Sequence, residues 1–220
     1  MFNIKAMLKV YFVAGSQDCR HLSGSNADNL LHILQQALDA GITCFQFRDK
    51  GKYSLMDNPQ QQKALAIKCR DLCRQYNVPF IIDDNLSLAL EIEADGTHVG
   101  QSDMKVQEII SKSDRPFIIG LSVNKMEEAL ASNHINEIDY FGIGPIFPTQ
   151  SKEDAKPSVG VDFIKQLRER GINKPLVAIG GIREKDAQVL REKGADGVAV
   201  ISVITQSEHI AETVKRLLGE

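Results

Sequence analysis

The second β-rich run of the chain reads Cys44-Phe45-Gln46-Phe47-Arg48-Asp49-Lys50. Side chains of an extended strand alternate between faces, so Gln46, Arg48 and Lys50 share one face and Phe45 and Phe47 the other. An amide beside two cations is an anion-binding set, and the aromatic pair belongs under a helix. Surface charge at a solvated strand end would not begin as early as Gln46. Two later runs end in carboxylates, Ile81-Ile82-Asp83-Asp84-Asn85 and Gly100-Gln101-Ser102-Asp103. As neighbouring strands about 4.8 Å apart, they would let Asp84 and Asp103 converge on one hard cation. Magnesium suits such a place, taking one or two carboxylates plus phosphate oxygens and water. Aspartate after a strand also caps helices. Each residue alone fits either role, and the Arg48/Lys50 pair tips the balance toward metal.

Further chemistry lies in the second half. The stretch from Gly144 to Gly160 is the longest loop, and it carries the hydroxyls of Thr149 and Ser151 and the cation Lys152. Long ordered loops often serve as lids or binding loops, although a Pro-bounded polar loop is also an ordinary surface excursion. Gly180-Gly181 follows an apolar run and lets the backbone approach an anion. His98, inside a β-rich run, reads as a buried, hydrogen-bonded structural histidine rather than a general base.

The elements that must position these groups show in an alternation of two periods. Strands are predicted at Val10–Gly15, Cys44–Phe47, Pro79–Asp83, Gly96–Val99, Phe117–Leu121, Tyr140–Ile143, Leu176–Ile179 and Val198–Ile201. Helical spacing predicts helices over Asn29–Ala40, Lys63–Tyr76, Asn85–Ile92, Val106–Ser111, Lys125–Ser132, Phe163–Glu169, Glu184–Lys193 and Ile210–Leu218. Gly41, Gly171 and Gly194 stand where helix C-caps want a left-handed residue. The strands are nearly continuous apolar runs, as parallel strands covered by helices should be. An open doubly wound sheet would show a glycine fingerprint after its first strand, and Ala14-Gly15-Ser16-Gln17-Asp18 is not one. The expected fold is therefore one α/β domain over 1–220, a single (β/α)8 TIM barrel. Its catalytic groups would stand at the C-terminal strand ends, with phosphate sites after strands seven and eight.

Totals agree. The 220 residues suffice for a barrel, which can close with about 200. A net charge of −3 supplies no basic field for nucleic acid or an anionic membrane, so any anion must be held by local groups. Leu8–Gly15 is too short to span a bilayer. Cys19, Cys44, Cys69 and Cys73 lack a zinc-site spacing and read as small apolar residues in a reducing cytoplasm.

Taken together, Gln46-Phe47-Arg48-Asp49-Lys50, Ala94-Asp95-Gly96-Thr97-His98-Val99-Gly100-Gln101 and Gly142-Ile143-Gly144-Pro145-Ile146-Phe147-Pro148-Thr149 resemble the thiamine phosphate synthase family. So do Val177–Ile182 and Gly197–Ser202, and the resemblance runs in order over essentially the whole chain. It implies a transferase of thiamine biosynthesis that couples a hydroxymethylpyrimidine diphosphate to a thiazole phosphate and releases pyrophosphate. Carried over by position, the run Gln46, Phe47, Arg48, Asp49, Lys50 would bind the pyrimidine diphosphate with Asp83, Ser122 and Lys152. Asp84 and Asp103 would hold Mg²⁺. Thr149, Gln150 and Ser151, with Gly181, Ile201 and Ser202, would hold the thiazole phosphate. Arg48, Lys50, Lys152 and Ser122 would be the catalytic set. The family usually has asparagine at Asp83, where a carboxylate repels a diphosphate unless protonated, turned away or shielded by metal. It usually has threonine at Ser151, which keeps the hydroxyl.

Two rival readings share the fold: a thiazole tautomerase, which needs a histidine acid/base and no diphosphate clamp, and a non-catalytic phosphate binder. The implied partners are small molecules, with neither nucleic acid nor membrane. The oligomeric state is left open, a homo-oligomer included.

Overall fold

The computed structural model describes residues 2–101, 106–113, 116–149, 151 and 156–220. Its strands are β1 (Val10–Ala14), β2 (Cys44–Phe47), β3 (Phe80–Asp83), β4 (Gly96–Val99), β5 (Ile118–Val123), β6 (Tyr140–Ile143), β7 (Leu176–Ile179) and β8 (Gly197–Val200). They close in sequence order into one barrel, and every neighbouring pair is parallel, including β1 with β8. The expected TIM barrel is what forms. Among the described residues, no helix is long and apolar enough to cross a membrane.

The outer helices form where apolar residues recur every three or four positions. In Asn26–Asp39, Leu30, Ile33, Leu34, Ala37 and Leu38 are buried, and the Ser25 hydroxyl accepts from Asp28 N at the N-cap. This helix and Pro59–Gln75 begin three or four residues before the apolar period predicts. Their first turns are polar and are fixed by the caps Ser25 and Asn58 instead. The predicted helix Glu184–Lys193 divides into a 3₁₀ turn, Glu184–Asp186, and an α-helix, Ala187–Glu192.

Alternation along the strands splits the core in two. Phe12, Phe45, Phe47, Phe80 and Ile82 face outward under the helices. Tyr11, Val13, Cys44, Ile81, Tyr140, Val177 and Ala199 face the barrel axis, with Met7 and Leu8 packed among them. The outward rings form a continuous row, Phe12 to Phe45 at 5.3 Å and Phe45 to Phe80 at 6.0 Å between centroids.

The N-terminal rim carries a fourfold device. The residue just before each even-numbered strand accepts a backbone N–H at the start of the preceding odd-numbered one. Thr43 Oγ1 takes Val10 N (2.9 Å), and Asp95, Asp139 and Asp196 take Phe80, Ile119 and Leu176 N (2.8 Å each). These side chains satisfy strand-end donors that would otherwise be orphaned near the core. Asp196 also pairs with Arg168 (2.9 Å), whose guanidinium donates to the carbonyls of Gly194, Ile172 and Lys174. Asp196→Ala strands both a backbone donor and a half-buried cation. It should destabilise the fold by about 2–3 kcal/mol, read as a lowered denaturant midpoint, while the distant cavity keeps its ligand affinity.

Candidate functional site

The opposite rim opens into a cavity of about 250 Å³ lined by the C-terminal strand ends and the loops that follow them. One wall is charged. Arg48 Nε lies 3.5 Å and Lys50 Nζ 3.8 Å from Asp83 Oδ2, and Lys50 also pairs with Asp84. The Arg48 and Asp83 side chains are only 13% and 8% exposed, against 47% for Lys50, so the first pair is the one held rigidly. Burial works against the charge on Lys50. The Asp84 hydrogen bond and the charges of Asp83 and Asp84 outweigh it and hold the ammonium above its ordinary range.

Asp84 stands in the left-handed region at φ +57°, a conformation aspartate tolerates better than most residues. The helix cap at this point is the next residue, whose Asn85 Oδ1 accepts from Leu88 N at 3.0 Å. The capping alternative for Asp84 is therefore taken by its neighbour, and Asp84 is left lining the cavity.

Another part of the lining is built from uncharged residues, with Lys156 of the loop after β6 also at the cavity. Thr149, Ser151, Gly180, Gly181, Ile201 and Ser202 form this part. Gly181 has φ +65°, and a Cβ there would stand 2.6 Å from Pro148 O and 2.8 Å from Phe147 Cβ. Only glycine fits such a conformation against a packed loop. The loop after β6 is pinned on it by Ile146 N to Ile179 O (2.8 Å) and Phe147 N to Gly180 O (3.0 Å). Ser122, at the end of β5, occupies the floor with His98.

Arg48, Lys50, Asp83, Asp84, Ser122, Thr149, Ser151, Gly181, Ile201 and Ser202 are thus brought together as expected from the sequence. Asp103, Gln150 and Lys152 lie outside the described residues. Three residues stand elsewhere. Gln46 shares the inward face but sits one layer down, buried and donating to Tyr11 Oη at 2.8 Å. Phe47 points outward into the helix layer. Asp49 is buried, accepting from Ser16 N (2.8 Å), Leu55 N (2.9 Å) and Gln62 Nε2 (3.1 Å), so its carboxylate ties the loops after β1 and β2 together. The sequence reading did not single out Lys156, Asn124 and Gln101 as cavity residues. Gln101 Nε2 donates to Ser122 O at 2.8 Å; its place in the Gly-Gln-Ser-Asp run after β4 was the signal available.

The cavity continues into an outer groove bordered by Asp18, Arg20, Lys52 and Tyr53, where Arg20 and Lys52 each lie 4.9 Å from the Tyr53 ring centroid. Burial pushes the Asp18 carboxyl up to about 6, against hydrogen bonds from Gly15 N and the Gln17 amide. Unfolded aspartate titrates near 3.9, so the folded state binds the proton more tightly. This contribution to stability is fully present at low pH and is lost as pH rises from about 4 to 6. Asp18→Asn keeps the acceptor without the charge. It should stabilise the protein by on the order of 2–3 kcal/mol at pH 8 and by much less at pH 4.5, as urea melts at the two pH values would report.

A closed parallel barrel whose C-terminal mouth sets the Arg48–Asp83 and Lys50–Asp84 pairs beside glycines and hydroxyls defines a TIM-barrel protein with a polar small-molecule cavity. The family described as thiamine monophosphate synthase matches residues 10–204. A thiamine-phosphate synthase of Haemophilus influenzae is 63% identical over 217 residues, covering 99% of this chain and 96% of that one. One from Actinobacillus succinogenes is 61% identical, covering 99% and 98%. The solved structure of a thiamine phosphate pyrophosphorylase from Pyrococcus furiosus superposes with a TM-score of 0.80 at 29% identity, covering 98% of this chain and 96% of that one. The chain belongs to the thiamine monophosphate synthase family.

Proposed function

We propose that this barrel is a transferase that joins 4-amino-2-methyl-5-(diphosphooxymethyl)pyrimidine to 4-methyl-5-(2-phosphoethyl)thiazole, giving thiamine phosphate and pyrophosphate. The observation that carries the reading is the pairing of two unlike walls in one cavity. Arg48 and Lys50, paired with Asp83 and Asp84 in the absence of a competing anion, suit a diphosphate that departs. A neutral wall at Thr149, Ser151, Gly181, Ile201 and Ser202 suits a phosphate that stays.

In this reading Arg48 and Lys50, with Lys152 from the loop after β6, take up charge on the diphosphate as its bond to the pyrimidine methylene carbon breaks. The thiazole nitrogen then donates its lone pair to that carbon, forming the C–N bond, and pyrophosphate leaves. No protein nucleophile is required; the walls hold the two rings in line for the bond. The oxygen donor of Asp84 at the rim is chemically suited to a hard divalent cation. Asp84 with Asp103 would hold Mg²⁺, whose charge would offset that of the leaving group. Gln150 would join Thr149 and Ser151 at the thiazole phosphate, and Gln46 would support the pyrimidine end from below. Phe47 and Asp49 would serve by fixing the strand and loop that carry Arg48 and Lys50. The tautomerase reading needs no diphosphate clamp, and the Arg48 and Lys50 cations at the cavity favour the transferase over it. Four buried free thiols suit a reducing cytoplasm.

Incubation with both substrates should release pyrophosphate in step with thiamine phosphate, and chelation of Mg²⁺ should stop it. Lys152→Ala and Asp84→Ala should each lower kcat at least about 100-fold with an unchanged melting curve. Near-normal turnover in either variant removes that residue from its role. Pyrophosphate release without coupling, or none from the parent protein, defeats the reading. Asp83 sets a separate expectation, because its carboxylate occupies the cations that the diphosphate needs. Asp83→Asn should lower the KM for the pyrimidine diphosphate roughly three- to tenfold, the size expected for removing one nearby like charge, and steady-state kinetics at fixed thiazole phosphate measure it.

A further inference from the structure

From the barrel interior up to the cavity lining runs a chain of polar groups, buried at Gln46, Tyr11 and Tyr140 and half-buried at His98 and Ser122. Gln46 Nε2 donates to Tyr11 Oη (2.8 Å), and the Tyr11 and Tyr140 hydroxyls meet at 2.7 Å. Tyr140 Oη lies 3.0 Å from His98 Nδ1, and His98 Nε2 lies 2.9 Å from Ser122 Oγ. Space has been made for these rings. A Cβ at Gly120 would stand 2.2 Å from Tyr140 Cζ and 2.4 Å from His98 Nδ1, and one at Gly142 would stand 2.9 Å from His98 Cε1. Two strand positions are glycine where any side chain would displace the Tyr140–His98 pair.

Counting protons gives the chain a direction. The Gln46 amide nitrogen only donates, so Tyr11 receives at that end. Burial pushes both phenols well above their ordinary range, so each keeps its one proton. Cys44 also lies against Tyr11, but a thiol is a weak acceptor and draws the phenol proton less than an oxygen does. Tyr11 therefore donates to Tyr140, and Tyr140 donates to His98 Nδ1. A neutral imidazole that accepts at Nδ1 carries its proton on Nε2, which then donates to Ser122 Oγ.

We propose that His98 is a positioning residue for Ser122: oriented by Tyr140 as the Nε2–H form, it engages the serine oxygen and turns the Ser122 proton toward the ligand. Ser122 then presents a directed donor to an acceptor on the pyrimidine diphosphate, a ring nitrogen or a leaving-group oxygen. The assignment rests on the function proposed above for the same cavity and adds the polarity of the floor to it. Gln101, donating to Ser122 O, fixes the serine backbone on the other side, so the hydroxyl torsion is the freedom that remains to be set.

Two measurements test it. The first is nitrogen-15 imidazole NMR on the wild-type protein, with His98 identified among the five histidines by its loss in His98→Gln. The Nε2–H pattern is expected, and the Nδ1–H pattern overturns the assignment. The second is a double-mutant cycle of Tyr140→Phe with Ser122→Ala. Tyr140→Phe should lower kcat by roughly three- to tenfold, the worth of one hydrogen bond, with the KM for the thiazole phosphate unchanged. In the Ser122→Ala background it should cost nothing further. Equal losses in both backgrounds, or no loss in either, overturn the proposal, because a merely structural tyrosine acts independently of Ser122. If Tyr140→Phe melts early, His98→Gln takes its place in the cycle. A wild-type protein that releases no pyrophosphate defeats the function, and the NMR result then judges the polarity by itself.

Discussion

Tyr11 and Tyr140 meet hydroxyl to hydroxyl, 2.7 Å apart, in the barrel interior. An eight-stranded barrel is filled by its own inward side chains, and branched aliphatics usually do it. Two phenols fill the space as well but bring polar tips into a place where an unmet hydroxyl costs several kcal/mol. Much of the interior answers that demand. Gln46 turns its amide down to Tyr11 rather than up to the mouth, His98 stacks beside Tyr140 with ring centroids 5.5 Å apart, and glycines at 120 and 142 leave the room. The floor of the cavity is consequently polar and ordered before any ligand arrives.

Aspartate is used in two opposite ways at the two rims, and position on the strand decides which. Asp95, Asp139 and Asp196 stand just before strands and accept backbone N–H groups, which closes the barrel at its base. Asp83 and Asp84 stand at the end of a strand, where the chain has turned outward and cations rather than amides are nearest. Stability and chemistry are thereby carried by the same residue type about one strand length apart, which is the division of labour a β/α barrel permits.

The fold was legible because its signal is repeated eight times: short apolar runs, helical spacing between them, and glycine past three helix ends. Helix starts were less so, since Asn26-Ala27-Asp28 and Pro59-Gln60-Gln61-Gln62 are set by caps and carry no apolar period. The two walls of the site were legible from the rule that chemistry gathers at C-terminal strand ends. Depth was not. Alternation assigns a side chain to a face but not to a layer, so Gln46 shares the inward face with Arg48 and Lys50 yet stands a layer below them, against Tyr11. Asp49 looked like part of the clamp because its link to Ser16 spans 33 residues, and no local pattern reports such a contact. His98 read as a buried structural histidine; it is hydrogen-bonded on both sides, but it is half-buried and lines the cavity. Its contact with Ser122 depends on neighbouring strands in register, which one strand's sequence does not contain.

Asp83 shows how the site balances order against affinity. Arg48 is nearly buried, and a buried guanidinium without a partner is costly; Asp83 supplies that partner and so fixes the Arg48 side chain. The same carboxylate, together with Asp84, balances the two cations of Arg48 and Lys50, so this wall offers a diphosphate little net charge. In the proposed mechanism affinity would then come from groups that Asp83 does not neutralise: Lys156 at the cavity, Lys152, and a divalent ion held by Asp84 and Asp103. In that mechanism Asp84 and Asp103 would hold the ion, whose charge would add to those of Lys50 and Lys152 at the leaving group. The Arg48–Asp83 pair therefore gives this wall its order at the expense of its net charge, and that exchange is what the asparagine at this position in the family would not make.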